Sequence, residues 1–98
     1  MIEISSTERV LVLSLENTNG LRELARGEAL VGLDTGERVR AARREFSDLE
    51  NVMFVAGSRD DIPWQEHWFT LIVDAEGGAV TAAMERALAE GGRIVSGG

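Results

Sequence analysis

Apolar and polar positions fall in blocks along this chain, and the blocks alternate between two periods. Val10 to Leu15 is a continuous apolar run, as suits a strand buried on both faces. The polar stretch Glu-Asn-Thr-Asn-Gly stops it. Leu21 to Arg26 then reads as a short helix that Gly27 can end. Ala29 to Leu33 is a second buried strand, closed by Asp34. Gly36 to Phe46 has helical spacing: Val39, Ala42, Arg43 and Phe46 share a face, with Arg43 able to extend its head to water. Val52 to Ala56 is a third strand, ended by Gly57. Residues 58–68 form a loop marked by Pro63, and Phe69 to Val73 is a fourth strand. Ala79 to Glu90 has the clearest helical pattern, with Val80, Ala83, Met84, Ala87 and Leu88 on one face. Gly91 and Gly92 stop it, and Arg93 to Ser96 is a fifth strand. At the start, Ile2 and Ile4 alternate like a short edge strand.

Five strands separated mostly by helices predict an α/β domain with a parallel sheet and right-handed crossovers. Its 98 residues form one domain, residues 1–98, with a thin core. Ligands in such sheets bind outside the carboxyl ends of the strands. The residues there are Glu16 to Gly20, Asp34, Gly57 to Asp61, and Asp74 to Glu76.

Composition removes several chemistries. The chain has no Cys, which excludes disulfides, thiol nucleophiles and zinc-thiolate sites. All ten basic residues are Arg, so there is no Schiff-base, P-loop or general-base lysine. Tyrosine is absent and His67 is the one histidine. A net charge of −7 argues against nucleic-acid partners. The apolar runs are strand-sized, so no membrane association is expected. There is no secretory pattern at the start, and a cytoplasmic protein is expected.

Order and spacing carry a resemblance. VGLDTGERVRAARREF follows the first strand and its loop as a second strand ending in an acid. NVMFVAGSRDDIPW resembles "N-V-x-F-x-x-G-D-A-x-D-L-P-F", and HWFTLIVD resembles "S-F-D-L-V". AAMERALAEGGRIVSG resembles "L-x-E-x-x-R-V-L-K-P-G-G-R-L-V". From about Glu8 on, the chain resembles the front portion of a class I S-adenosylmethionine-dependent methyltransferase. The resemblance implies a Rossmann-like sheet of five mainly parallel strands, order 3-2-1-4-5. About three helices flank it, and the family's C-terminal antiparallel hairpin is lacking.

The family's cofactor motif, acid-x-Gly-x-Gly-x-Gly, is degenerate here. The aligned positions read Ser14, Leu15, Glu16, Asn17, Thr18, Asn19 and Gly20, so only Gly20 is kept. Asn17 and Asn19 tolerate left-handed backbone and could rescue the turn. Glu16 places a bulky anion where the family has hydrogen, which repels carboxylate and pyrophosphate. Asp34 matches the acid that holds the ribose hydroxyls, or else it caps the following turn. Gly20 and Asp34 are the cofactor-binding residues that the resemblance implies, for S-adenosylmethionine. Where the family has Gly-Asp-Ala this chain has Gly57, Ser58 and Arg59. Asp60 or Asp61 could replace the missing adenine acceptor, or be turn residues.

Trp64, His67 and Trp68 either wall an adenine pocket or cover the sheet. Glu16, Asp34, Asp60, Asp61, Asp74 and Glu76 fall at one end of the sheet, where helix capping is favoured over a Mg²⁺ site, and no metal is expected. Arg38, Arg40, Arg43 and Arg44 read as a solvated helix face. No catalytic residue is identified. The first two helices cover one face of the sheet, while the other has only Ala79 to Glu90 and the Trp loop. That face and the fifth-strand edge are expected to be under-covered, so that a second copy or another protein subunit completes the domain. The reading that results is a methyltransferase-like domain, catalytically weak or silent, acting as a dimerising or protein-interaction module. An active enzyme completed by a second subunit, and a small-ligand sensor, are the alternatives.

Overall fold

The computed structural model describes residues 3–96. Its elements are β1 (Arg9–Leu13), α1 (Leu21–Leu24), β2 (Ala29–Asp34), α2 (Gly36–Glu45), β3 (Val52–Ala56), β4 (Phe69–Asp74), α3 (Ala82–Ala87) and β5 (Leu88–Ser96). The five strands form one sheet in the order β3-β2-β1-β4-β5, and every pairing is parallel. β1 lies at the centre, with Val12 beside Gly32 on one side and Val73 on the other.

Strand side chains alternate between the two faces, and each face has its own core. On one, Val10, Val12, Leu30, Leu71 and Val73 pack with Leu21 of α1 and with Val39 and Ala42 of α2. Phe46, just past α2, joins them. On the other, Leu11, Leu13, Val31, Leu33 and Ile72 pack with Phe69 and with Met84 and Ala87 of α3. Trp64 and Trp68 lie against this second core, so the aromatic loop covers the sheet. Trp68 meets Phe69 edge-on at 5.0 Å between ring centroids, and Trp64 lies 6.0 Å from the same ring.

The second face is therefore not under-covered at its centre, contrary to expectation. Leu11, Leu13, Val31 and Leu33 are at most 2% exposed. The indole rings replace the missing helix. Large apolar exposure is left at Met53, on the β3 edge, and at Val80.

The predicted helix at Ala79 to Glu90 is cut at both ends. Ala79 and Val80 run in non-helical backbone, and Thr81 starts the helix by accepting the Met84 amide on its hydroxyl at 3.1 Å. At the other end, the His67 and Trp68 amides donate to the Arg86 and Ala87 carbonyls. Leu88 then turns extended and enters β5. Tertiary partners, not the apolar period, set both limits. Of the expected N-terminal edge strand, Ile4 is in irregular backbone packed on the first core, and Ile2 lies outside the described residues.

Arg43 does not merely extend to water: it donates to the Phe54 carbonyl at 2.7 Å. The Asn51 carbonyl and Gly57 amide bond back to β2, so by alternation the Phe54 carbonyl points away from the sheet. Arg43 thus occupies the middle of the β3 edge. Among the described residues, no neighbouring strand covers the outer side of β5.

Candidate functional site

β1, β2 and β3 all end on the same side of the sheet, and a cavity of about 320 Å³ opens there. Leu13 and Leu33 form its apolar floor. Ser14, Asp34, Thr35, Ser58, Arg59 and Glu76 add polar walls. The structure thus brings Asp34 together with Ser58 and Arg59, as the strand order predicts.

Asp34 is held firmly. Its Oδ2 accepts the Leu15 amide at 2.7 Å and Arg38 at 3.3 Å, and its Oδ1 accepts the Thr35 amide at 2.7 Å. Burial pushes its carboxyl up, but the Leu15 and Thr35 amides and Arg38 outweigh burial and hold it below the usual carboxylate range. A carboxyl lowered on folding stabilises the protein above its unfolded pKa and loses that contribution as pH falls through the folded value. Thermal stability is therefore expected to fall steeply below about pH 4. In Asp34→Asn the fall should be shallower in melting curves taken from pH 7 to pH 3. Equal slopes for the two proteins would mean that Asp34 is not among the groups responsible.

The turn after β1 uses its own polar groups internally. The Leu15 amide goes to Asp34, the Glu16 amide to Ser14 Oγ at 3.3 Å, and the Asn19 amide to Asn17 Oδ1 at 3.0 Å. Thr18 bonds Glu45 of α2, which draws the loop toward that helix and away from the cavity. Leu15 is buried in the first core. The left-handed positions are Ser14, with φ 99°, and Gly20, with φ 81°. Neither Asn17 nor Asn19 is among them, so the expected rescue by asparagine is not how this turn is made. Asn17 instead closes an Asx turn with its side chain.

Gly20 precedes α1 in a left-handed conformation that favours glycine, with open space where a side chain would begin. Ser14 is strained, because a Cβ disfavours φ near 99°. Ser14→Gly should relieve that strain and raise stability by about 0.5–1 kcal/mol in urea unfolding, after the entropy cost of glycine is offset. A loss of stability would show that the Ser14 hydroxyl matters more than its backbone.

Arg59 is the residue that the sequence did not single out. Its guanidinium forks onto Asp74, with Nη1 to Oδ1 at 3.1 Å and Nη2 to Oδ2 at 2.9 Å. It also donates to the Gly77 and Ala79 carbonyls. Asp74 is 1% exposed and accepts the Gly77 amide as well. Arg59 therefore ties the β3–β4 loop to the segment that carries Glu76. The available signal was Asp74 itself: an acid ending a strand buried on both faces needs a counter-charge.

The other acids do not converge. Among the described residues no group of three or more His, Asp or Glu side chains is placed to hold a metal ion. Ser58 and Asp61 close a tight turn through their backbones, with Asp60 at its tip. His67 sets its Nδ1 3.1 Å from the Leu88 carbonyl, away from the cavity. Among the described residues no helix is long and apolar enough to cross a membrane.

No protein-family model matches the chain, and neither does any curated protein. Solved structures do. Over 96% of its length the chain is similar to the YcgJ protein of Bacillus subtilis, with 20% identity and a TM-score of 0.76. Over 93% it is similar to a chain in the complex of the Haloferax volcanii Trm112 methyltransferase activator with a protein assigned as a methyltransferase. Identity there is 24% and the TM-score 0.77. Over 94% it is similar to a protein from Pseudomonas syringae assigned as a methyltransferase, with 25% identity and a TM-score of 0.67. The chain spans 45% of the first two proteins and 65% of the third. Its fold is that of the class I S-adenosylmethionine-dependent methyltransferases, over the part of that fold which these residues cover.

Proposed function

We propose that this chain is a methyltransferase-like domain whose S-adenosylmethionine site is degenerate, catalytically weak or silent, and that it acts in the cytoplasm as a dimerising or protein-interaction module. The observation that carries this reading is the hydrogen bonding of the β1–α1 turn. A loop that holds the amino-acid end of the cofactor needs free amides and no side chains in the way. Here three amides are already engaged within the protein, and Glu16 stands in the loop. α1 is a single turn of four residues, too short to add a useful dipole. Gly20 and Asp34 are what remains of the cofactor contacts in this proposal.

The interaction role is supported by the sheet edges. β3 is blocked by Arg43, whereas among the described residues no strand lies outside β5, and its Ile94 and Val95 are only half-buried. Sedimentation velocity from high to low micromolar concentration is expected to resolve a dimer. A stable monomer throughout, with no partner recovered, would remove the dimerising role. Calorimetric titration with S-adenosylmethionine tests the silent site, for which no micromolar binding is expected.

A second reading, an active methyltransferase completed by another subunit, is favoured by the cavity at Asp34 and by the similarity to a protein that is found with an activator. Micromolar cofactor binding would favour it over the first.

A further inference from the structure

Asn19 and Gly20 form the corners of the turn that leads into α1. The Leu21 amide donates to the Thr18 carbonyl across them at 3.1 Å, and Gly20 sits at φ 81°. Asn19 is exposed. Its backbone amide donates to Asn17 Oδ1, but among the described residues its carboxamide has no hydrogen-bond partner. The neighbouring nitrogen is equally free. The Gly20 carbonyl accepts the Glu23 and Leu24 amides, whereas among the described residues the Gly20 amide donates to nothing. No atom lies within 4 Å of the place where a Gly20 Cβ would stand. Amides inside strands and helices are tied up in ladders, and this one is available to react.

We infer that Asn19 is a site of spontaneous covalent modification, at which the folded protein converts its own amide to an acid. The Gly20 nitrogen attacks Asn19 Cγ. A bond forms between them, the Cγ–Nδ2 bond breaks, and ammonia leaves with the proton of the Gly20 amide. Water then opens the cyclic imide at one of its carbonyls and leaves isoaspartate or aspartate at position 19. Nothing is oxidised or reduced. Glycine matters because a Cβ on the attacking residue would crowd the ring. The other asparagines lack this arrangement. Asn17 is followed by β-branched Thr18, and its Oδ1 is engaged. Asn51 precedes β-branched Val52, and its Nδ2 donates to the Ala25 and Gly27 carbonyls. The product adds a carboxylate to a turn that already carries Glu16. Isoaspartate also puts an extra backbone carbon ahead of Gly20, so the entry into α1 changes shape. The inference stands whether or not the crevice binds a cofactor.

The test is incubation of the full chain at mildly alkaline pH and body temperature over weeks, with mass-spectrometric sequencing of its peptides. The mass gain of amide turned to acid is expected at Asn19, at least about tenfold faster than at Asn17 or Asn51. Its rate in the folded chain should lie within about fivefold of its rate in guanidinium chloride, since the fold leaves this turn open. Ion-exchange chromatography should show a growing acidic fraction. In Asn19→Ser that fraction should fall to the level that Asn17 and Asn51 set. The melting temperature of the variant should stay within about 2 °C of the parent, because the lost carboxamide held nothing. Stronger protection of Asn19 in the folded chain would overturn the inference, as would modification led by Asn17 or Asn51. An acidic fraction undiminished in Asn19→Ser would place the reaction elsewhere and overturn it too.

Discussion

Arg59→Ala is expected to lower the melting temperature by roughly 10 °C or more. The change removes both forks onto Asp74, a carboxylate 1% exposed. What is left is a buried charge whose remaining partner is a single amide, from Gly77. The same change frees the Gly77 and Ala79 carbonyls, so the segment leading into α3 loses its tie to the β3–β4 loop. Circular dichroism melts read the result. Arg59→Lys should recover only part of the loss, because one ammonium cannot fork onto two oxygens and two carbonyls at once. Adding Asp74→Asn to Arg59→Ala should also recover part, because the uncompensated charge is gone. A melting temperature within 2 °C of the parent, on the order of the smallest shift worth interpreting, would mean that solvent replaces Arg59 at little cost.

Phe69→Ala is the second large effect. Phe69 is fully buried at the start of β4, with Trp68 edge-on to it and Trp64 alongside. Truncating such a ring costs about 3–5 kcal/mol, against a total of about 5–15 kcal/mol for a domain of this kind. A sizeable unfolded fraction at room temperature is therefore expected, and its urea midpoint should drop accordingly. Both tryptophans report on the same event, since each loses its ring neighbour. Emission should shift to longer wavelength together with the loss of the midpoint. An unchanged midpoint with altered emission would mean that the Trp loop repacks over the gap, and that its cover of the second face is looser than the structure indicates.

The strands were legible in the sequence because burial on both faces leaves an unbroken apolar run. β1, β2 and β4 end within two residues of their predicted limits for that reason, and β3 matches its limits although, at the edge, it leaves Met53 exposed. The sheet order followed from the resemblance, and the comparisons support the same fold. The limits of α3 were not legible. Val80 and Leu88 fit the helical period, yet Thr81 and the His67 and Trp68 amides, distant in sequence, decide where it begins and ends. The position of Asp34 at the mouth of the crevice could be read from the sequence. Its hydrogen bonds could not, because the Leu15 amide reaches it across 19 residues. Ser14 was aligned with the motif's acid by counting glycines, and counting cannot reveal that its backbone bends as a glycine would. Arg59 was missed for a similar reason: its partner lies 15 residues on, at the end of another strand.

The guanidinium of Arg43 on the outward carbonyl of Phe54 has a consequence for how copies of this chain could accumulate. Open sheets stack edge to edge into filaments only when both margins accept a neighbour. With a cation stationed at mid-strand on β3, growth is terminated on that flank. A copy that adds through β5 brings its own terminated flank outward, so the joined sheet has two dead ends. Any self-association by this route would close at two chains, and the same arginine that looks like surface decoration would set the stoichiometry.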